Sequence, residues 1–127
     1  MPSNTIAVID DDPVAMEILC RTLEKFFDAT VLAFPDSRQA RDFLMQATSR
    51  SLDVIISDQN MPHLNGLSLL QFCRAQELSI PFIMVTADAL RDDVLAARAL
   101  GAVAFFAKPV VLPDLIEKIR GLLETKM

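Results

Sequence analysis

The chain has 127 residues, 52% of them hydrophobic and only 3 of them glycine, which excludes a disordered or collagen-like polypeptide. Its formal charge of -5 at pH 7 argues against direct nucleic-acid contact, which needs a clustered basic patch. No apolar run is long enough to span a bilayer, and no signal peptide is read ahead of the first strand, so no membrane contact is expected.

Residues 6–9 form a short apolar run that reads as a strand and ends in three acids, Asp10, Asp11 and Asp12. Asp12 is placed to cap a helix whose first position is Pro13, with Ala15, Ile18, Leu19, Thr22 and Phe26 along its inner face. A second strand is predicted over residues 30–34. Pro35, Asp36 and Ser37 then start a helix that turns Ala40, Phe43, Leu44 and Ala47 inward. The third strand, Val54, Ile55 and Ile56, has the continuous apolar character of a strand buried on both faces and stops on Asp58. Asn60, Pro62, Asn65 and Gly66 supply turn chemistry before a third helix over residues 67–76. Residues 81–85 are a fourth strand, closed by Thr86. Leu90, Val94, Ala97 and Leu100 make the fourth helix amphipathic, and Gly101 stops it. The fifth strand, residues 102–107, runs into Lys108-Pro109; Pro113 opens a last helix carrying Leu115, Ile119, Leu122 and Leu123.

Five strand–helix units in succession imply an α/β fold, a five-stranded parallel sheet with helices on both faces and right-handed crossovers. The length fits one domain, residues 1–127, burying about two-thirds of its unfolded surface. Cys20 and Cys73 fall in predicted helices among apolar neighbours, which favours buried free thiols and a reducing, cytoplasmic setting.

Ligands of open parallel sheets bind at the carboxyl ends of the strands. Here those ends carry Asp10 and Asp11, Asp58, Thr86 and Lys108. If the first strand lies beside the third, these groups converge on one crevice. Two unscreened carboxylates about 4 Å apart repel by about 4 kcal/mol at an effective dielectric of 20. Three therefore need a cation, a retained proton or a nearby ammonium, and at least one acid of the cluster should keep its proton to a higher pH than in the unfolded chain. Oxygen-only ligands with an open side suit Mg2+. Lys108 brings positive charge and Thr86 a hydroxyl that can donate to a phosphoryl oxygen, so the set describes phosphoryl transfer to a carboxylate.

In this order and at these strand ends, the acid pair Asp10-Asp11, the acid Asp58, Asn60-Met61-Pro62, Thr86-Ala87 and Lys108-Pro109 resemble the receiver domain of two-component response regulators over the whole chain. The resemblance implies a flavodoxin-like three-layer sandwich with strand order 2-1-3-4-5. It implies that Asp58 takes a phosphoryl group from a sensor histidine kinase or histidine phosphotransfer protein. Asp10, Asp11, Asp58 and the backbone carbonyl of Asn60 would hold Mg2+, Lys108 would pair with the acyl phosphate, and Thr86 would swing toward it. Phe105 matches the switch aromatic and is expected to favour its inward rotamer. The domain would be no enzyme beyond catalysing its own phosphoryl uptake and hydrolysis. It would pass the signal to a downstream protein effector or output domain, or through a phosphorylation-dependent dimer. Asn65 and Val110-Val111 depart from the family's pattern, the first at a turn and the second at the edge of the signalling face. Asn60 and Asp88, two residues beyond Asp58 and Thr86, would border the path of the hydrolytic water and leave the phosphoryl group labile.

A different class competes for the first strand. IAVIDDDPV also resembles the nucleophile motif of haloacid-dehalogenase-like phosphatases, with Asp10 as nucleophile and Asp12 as acid–base. That reading needs a further acid pair after the lysine, finds only Asp114, and leaves Asp58 unexplained. A receiver-like domain that binds partners without taking phosphate is the third reading. His63 sits in a loop without a metal-ligand partner and is given no role; the six methionines read as core filler. Asparagine at Asp58 is expected to stabilise the metal-free protein by relieving repulsion.

Overall fold

The computed structural model describes residues 4–87 and 91–125, and in it strands and helices alternate throughout. The elements are β1 (Asn4–Ile9), α1 (Pro13–Phe26), β2 (Ala29–Phe34), α2 (Ser37–Met45), β3 (Val54–Asp58), α3 (Gly66–Ala75), β4 (Phe82–Thr86), α4 (Arg91–Ala99), β5 (Ala104–Ala107) and α5 (Leu112–Glu124). All pairings are parallel, in the order β2-β1-β3-β4-β5. The expected flavodoxin-like α/β sandwich is therefore present. Asp88 and Leu90, each given a part above, lie outside the described residues.

The period of two in the strands divides the core. Ala7 and Ile9 of β1 face one way with Ile55, Phe82 and Met84, and there meet Ala40 and Leu44 of α2, Leu69, Leu70 and Cys73 of α3, and Ala97 of α4. Ile6 and Val8 face the other way with Val54, Ile56, Ile83 and Val85, against Met16 and Leu23 of α1 and Leu115, Ile119 and Leu123 of α5. Every residue of β3 and β4 is buried, as a strand covered on both faces must be. Full burial of a side chain such as Leu115 or Ile119 contributes about 1.5–3 kcal/mol.

Helix starts follow the predicted chemistry. The Asp12 carboxylate accepts from the N–H groups of Val14 and Ala15, and the Asp36 carboxylate accepts from Arg38. Asn65, read as a turn residue, is the N-cap of α3 and accepts from Ser68. Gly101 follows α4 with φ +86°, the left-handed conformation that ends a helix there.

Helix α1 turns a different face inward from the one expected. Met16, Leu19, Cys20 and Leu23 meet the sheet, while Ile18 and Phe26 are 53% and 47% exposed. Two apolar stripes one residue apart satisfy the helical period equally. Leu19 belongs to both; the one that packs buries Met16 and Leu23, whereas the other would have spent positions on Ala15 and Thr22. Strand β5 is also shorter than predicted, beginning at Ala104. Arg74 of α3 crosses to the end of α4, donating to the carbonyls of Leu100 at 2.7 Å, Leu78 at 2.7 Å and Gly101 at 3.3 Å.

Both cysteines are free, Cys73 buried and Cys20 half-buried; burial pushes the Cys73 thiol up to about 11. Among the described residues, no helix is long and apolar enough to cross a membrane.

Candidate functional site

Strand register sets the site. Ile9 pairs with Ser57, Asp58 with Val85, and Thr86 with Ala107. Asp10, following Ile9, thus stands level with Asp58, and Lys108 emerges one step beyond Thr86. Carboxylate oxygens of Asp10, Asp11 and Asp58 lie within 4.8 Å of one another, two of the three residues being buried. The Lys108 ammonium donates to Asp58 Oδ2 at 2.7 Å and stands 3.8 Å from Asp10 Oδ2. The Lys108–Pro109 peptide is cis.

The two faces of this cluster differ in charge compensation. Burial raises the Asp10 pKa, the Asp58 and Asp11 charges add to the rise, and the Asp12 N–H at 2.9 Å and the Lys108 charge oppose it. For Lys108, burial disfavours the ammonium, but the hydrogen bond to Asp58 and the charges of Asp10, Asp58 and Asp12 outweigh it and leave the pKa raised. The ammonium is committed to Asp58, and Asp10 is the under-compensated acid.

Thr86 is buried, and its backbone carbonyl accepts from the Lys108 N–H at 2.9 Å. The Asn60 side chain is exposed but not idle: Nδ2 reaches Thr86 Oγ1 at 3.4 Å, while the Asn60 N–H donates to Asp58 Oδ1 at 3.3 Å. Phe105 is half-buried on β5, packed against the core cluster of α2, α3 and α4. A cavity of about 310 Å³ opens beside the cluster, with Asp10, Asp58 and Lys108 at its polar end and Ala15, Leu19 and Val110 along its apolar wall.

Three residues hold the loop after Asp58: Gln59, which the sequence did not single out, Ser37, read there only as part of a helix start, and Gly66, read only as turn chemistry. Gln59 is buried, and its Oε1 accepts from the Leu67 N–H at 2.8 Å. Ser37 at the start of α2 contacts the middle of the loop. Gly66 permits a close approach: a Cβ there would lie 2.7 Å from the Asp58 carbonyl oxygen and 2.5 Å from Met84 Sδ. The thioether can move, but the carbonyl belongs to the sheet. Gly66→Ala is therefore expected to lower unfolding free energy by about 1–3 kcal/mol, the usual cost of overpacking. A shift in the urea midpoint at constant slope would register it; an unmoved midpoint would mean that the end of β3 yields freely.

The profile of the response regulator receiver domain matches residues 6–120. The chain belongs to that family. It is 31% identical over 122 residues to a chemotaxis protein CheY homolog of Campylobacter jejuni, covering 94% of this chain and 92% of that protein. It is 37% identical over 112 residues to the rice two-component response regulator ORR21, covering 87% of this chain but only 16% of the rice protein's length. Its fold is similar to that of the Francisella response regulator 1452 receiver domain, with TM-score 0.87, 23% identity, and coverage of 98% of this chain and 100% of the other. The receiver domain, with its acidic phosphorylation site, is not a conventional enzyme, and it implies a cognate kinase. The dehalogenase-like reading of residues 6–14 gives way to this membership; the side chain of Asp12, its supposed acid–base, is occupied as a helix cap.

Proposed function

We propose that the chain, residues 1–127, is a single phosphoacceptor domain. In this reading Asp58 takes a phosphoryl group from a sensor histidine kinase or histidine phosphotransfer protein. The observation that carries it is the contact of Lys108 with Asp58 at 2.7 Å inside a cluster of three carboxylates. One ammonium among three carboxylates leaves an excess of negative charge that a divalent cation would neutralise, and an oxygen-only donor set suits Mg2+. Asp10, Asp11, Asp58 and the Asn60 backbone carbonyl would hold it. Bound there, Mg2+ would neutralise the oxygens of the incoming phosphoryl group.

The chain's own residues do the rest. An Asp58 carboxylate oxygen forms the new bond to phosphorus as the bond to the donor breaks, and the donor atom leaves with the electron pair. Lys108, already at Asp58 Oδ2, pairs with the phosphoryl oxygens. The Thr86 hydroxyl donates to one of them, leaving its present contact with Asn60. That movement opens space on the side of β5, where Phe105 turns inward and alters the α4–β5–α5 face. A protein effector, an output domain or a second copy of the domain reads that change. The two free thiols support a cytoplasmic setting for the exchange.

Acetyl phosphate with Mg2+ should add one phosphoryl group, read by intact mass, that is lost in acid or base and does not form in EDTA. A chain that gains no Mg2+-dependent mass under these conditions is a binding module without phosphoacceptor chemistry.

A further inference from the structure

We propose that Ser37 is a positioning residue for the acceptor loop, its hydroxyl holding the turn from which Asn60 presents its backbone carbonyl to the cation. The inference rests on the metal reading above. Ser37 is the first residue of α2 and is 2% exposed. Its Oγ donates to the Pro62 carbonyl at 2.8 Å and accepts from the Leu64 N–H at 3.1 Å. The residue between those two groups, His63, has φ +74°, and the Leu64 N–H also donates to the Pro62 carbonyl at 2.9 Å, so the buried hydroxyl braces a three-residue turn that its own backbone closes.

The anchor itself is fixed by contacts within the first turn of α2. Asp36 caps α2 and takes a two-pronged contact from Arg38, at 3.2 Å from Nε and 2.9 Å from the terminal nitrogen, which holds its carboxyl down at about 2. The loop's two ends are also tied: Asn60 N–H to Asp58 Oδ1 at its start, and Gly66 N–H to the Gln59 carbonyl at 3.1 Å at its close. The start is the weaker end, since both of its bonds, at 3.3 and 3.4 Å, are long. Ser37 supplies the middle tie, two residues from Asn60, where the position of that carbonyl is decided. Groups that orient a metal ligand without touching the metal typically alter affinity by about 10- to 100-fold when removed.

The test is magnesium binding by titration calorimetry, beside the Mg2+ dependence of phosphoryl uptake from acetyl phosphate. Ser37→Ala should weaken Mg2+ binding by about tenfold. It should raise the Mg2+ concentration for half-maximal uptake equally, with the rate at saturating Mg2+ close to wild type. Ser37→Thr, which retains a hydroxyl, should recover the affinity. Ser37→Cys, with a poorer donor and acceptor, should fall between and serves if the alanine variant does not fold. Leu123→Ala, a core truncation in α5 remote from the loop, controls for lost stability and should bind Mg2+ as wild type does. Unchanged affinity in Ser37→Ala, or an equal loss in Leu123→Ala, overturns the inference while leaving the metal reading intact. A wild-type chain that binds no Mg2+ overturns both.

Discussion

Asp58→Asn takes up no phosphoryl group from acetyl phosphate and Mg2+ under conditions in which the wild-type chain takes up one: this is the expected result, and the largest single effect. The amide is isosteric with the carboxylate but offers no anionic oxygen to attack phosphorus. The loss should be chemical rather than structural. Lys108 loses its partner at 2.7 Å, yet Asp10 Oδ2 remains 3.8 Å away, so its charge is not stranded. The Asn60 N–H keeps an oxygen acceptor in the side chain of the new residue. Asp10 is less well placed to substitute as nucleophile, because the ammonium that would pair with the phosphoryl oxygens stands 3.8 Å from it rather than 2.7 Å. Intact mass after incubation, with circular dichroism to confirm folding, checks the prediction. Labelling that survives in Asp58→Asn and vanishes in Asp10→Asn would assign the chemistry to Asp10 instead.

What could be read from the sequence was whatever depends on local pattern. The runs in β1, β3 and β4 are apolar because those strands are covered on both faces; β3 and β4 end on Asp58 and Thr86, and Asp10 directly follows β1, because the sheet ends there. The convergence of Asp10, Asp58, Thr86 and Lys108 followed once strand order was supplied by resemblance. Quantities that depend on register and reach were not legible. Nothing in the order of residues says that Lys108 sits 2.7 Å from Asp58 and 3.8 Å from Asp10, yet that difference of about one ångström decides which acid is left under-compensated. Ser37 looked like any hydroxyl at a helix start, a common capping residue, because its partners lie 25 and 27 positions away. Gly66 looked like a turn glycine; its backbone carries no positive φ, and the demand for glycine comes from the Asp58 carbonyl beside it. Helix α1 offered two apolar stripes, and the choice between them rests on volume buried against the sheet rather than on period.

That under-compensated acid makes the metal-free protein sensitive to pH in a direction that can be fixed. Asp10 has a folded pKa above its ordinary value of 3.8, chiefly because it is buried. Between 3.8 and the raised value the folded chain holds a proton that the unfolded chain has released, so stability falls as pH rises through that window. Below 3.8 this contribution is fully present, and above the raised value it is gone. Lys108 works in the same sense at the alkaline end: its stabilisation persists above 10.5 and fades as pH passes its raised value. Relief of the strain at neutral pH should therefore come from Asp10→Asn, whose amide oxygen can still accept from Asp12. Asp58→Asn was expected from the sequence to give that relief, but it removes the counter-ion of Lys108 and should stabilise less. Magnesium should act on the wild type by mass action, adding about 2.7 kcal/mol at a free concentration 100 times the dissociation constant. Thermal melts in EDTA across pH 4 to 8, repeated with Mg2+, separate these claims. In EDTA the wild-type melting temperature should decline across the acidic part of that range, and the decline should be flatter in Asp10→Asn, which should also gain little from Mg2+. If Mg2+ leaves the wild-type melting temperature unmoved at neutral pH, the three carboxylates do not form a metal site. If Asp58→Asn outmelts Asp10→Asn in EDTA, then Lys108 spends its charge on Asp10 in solution.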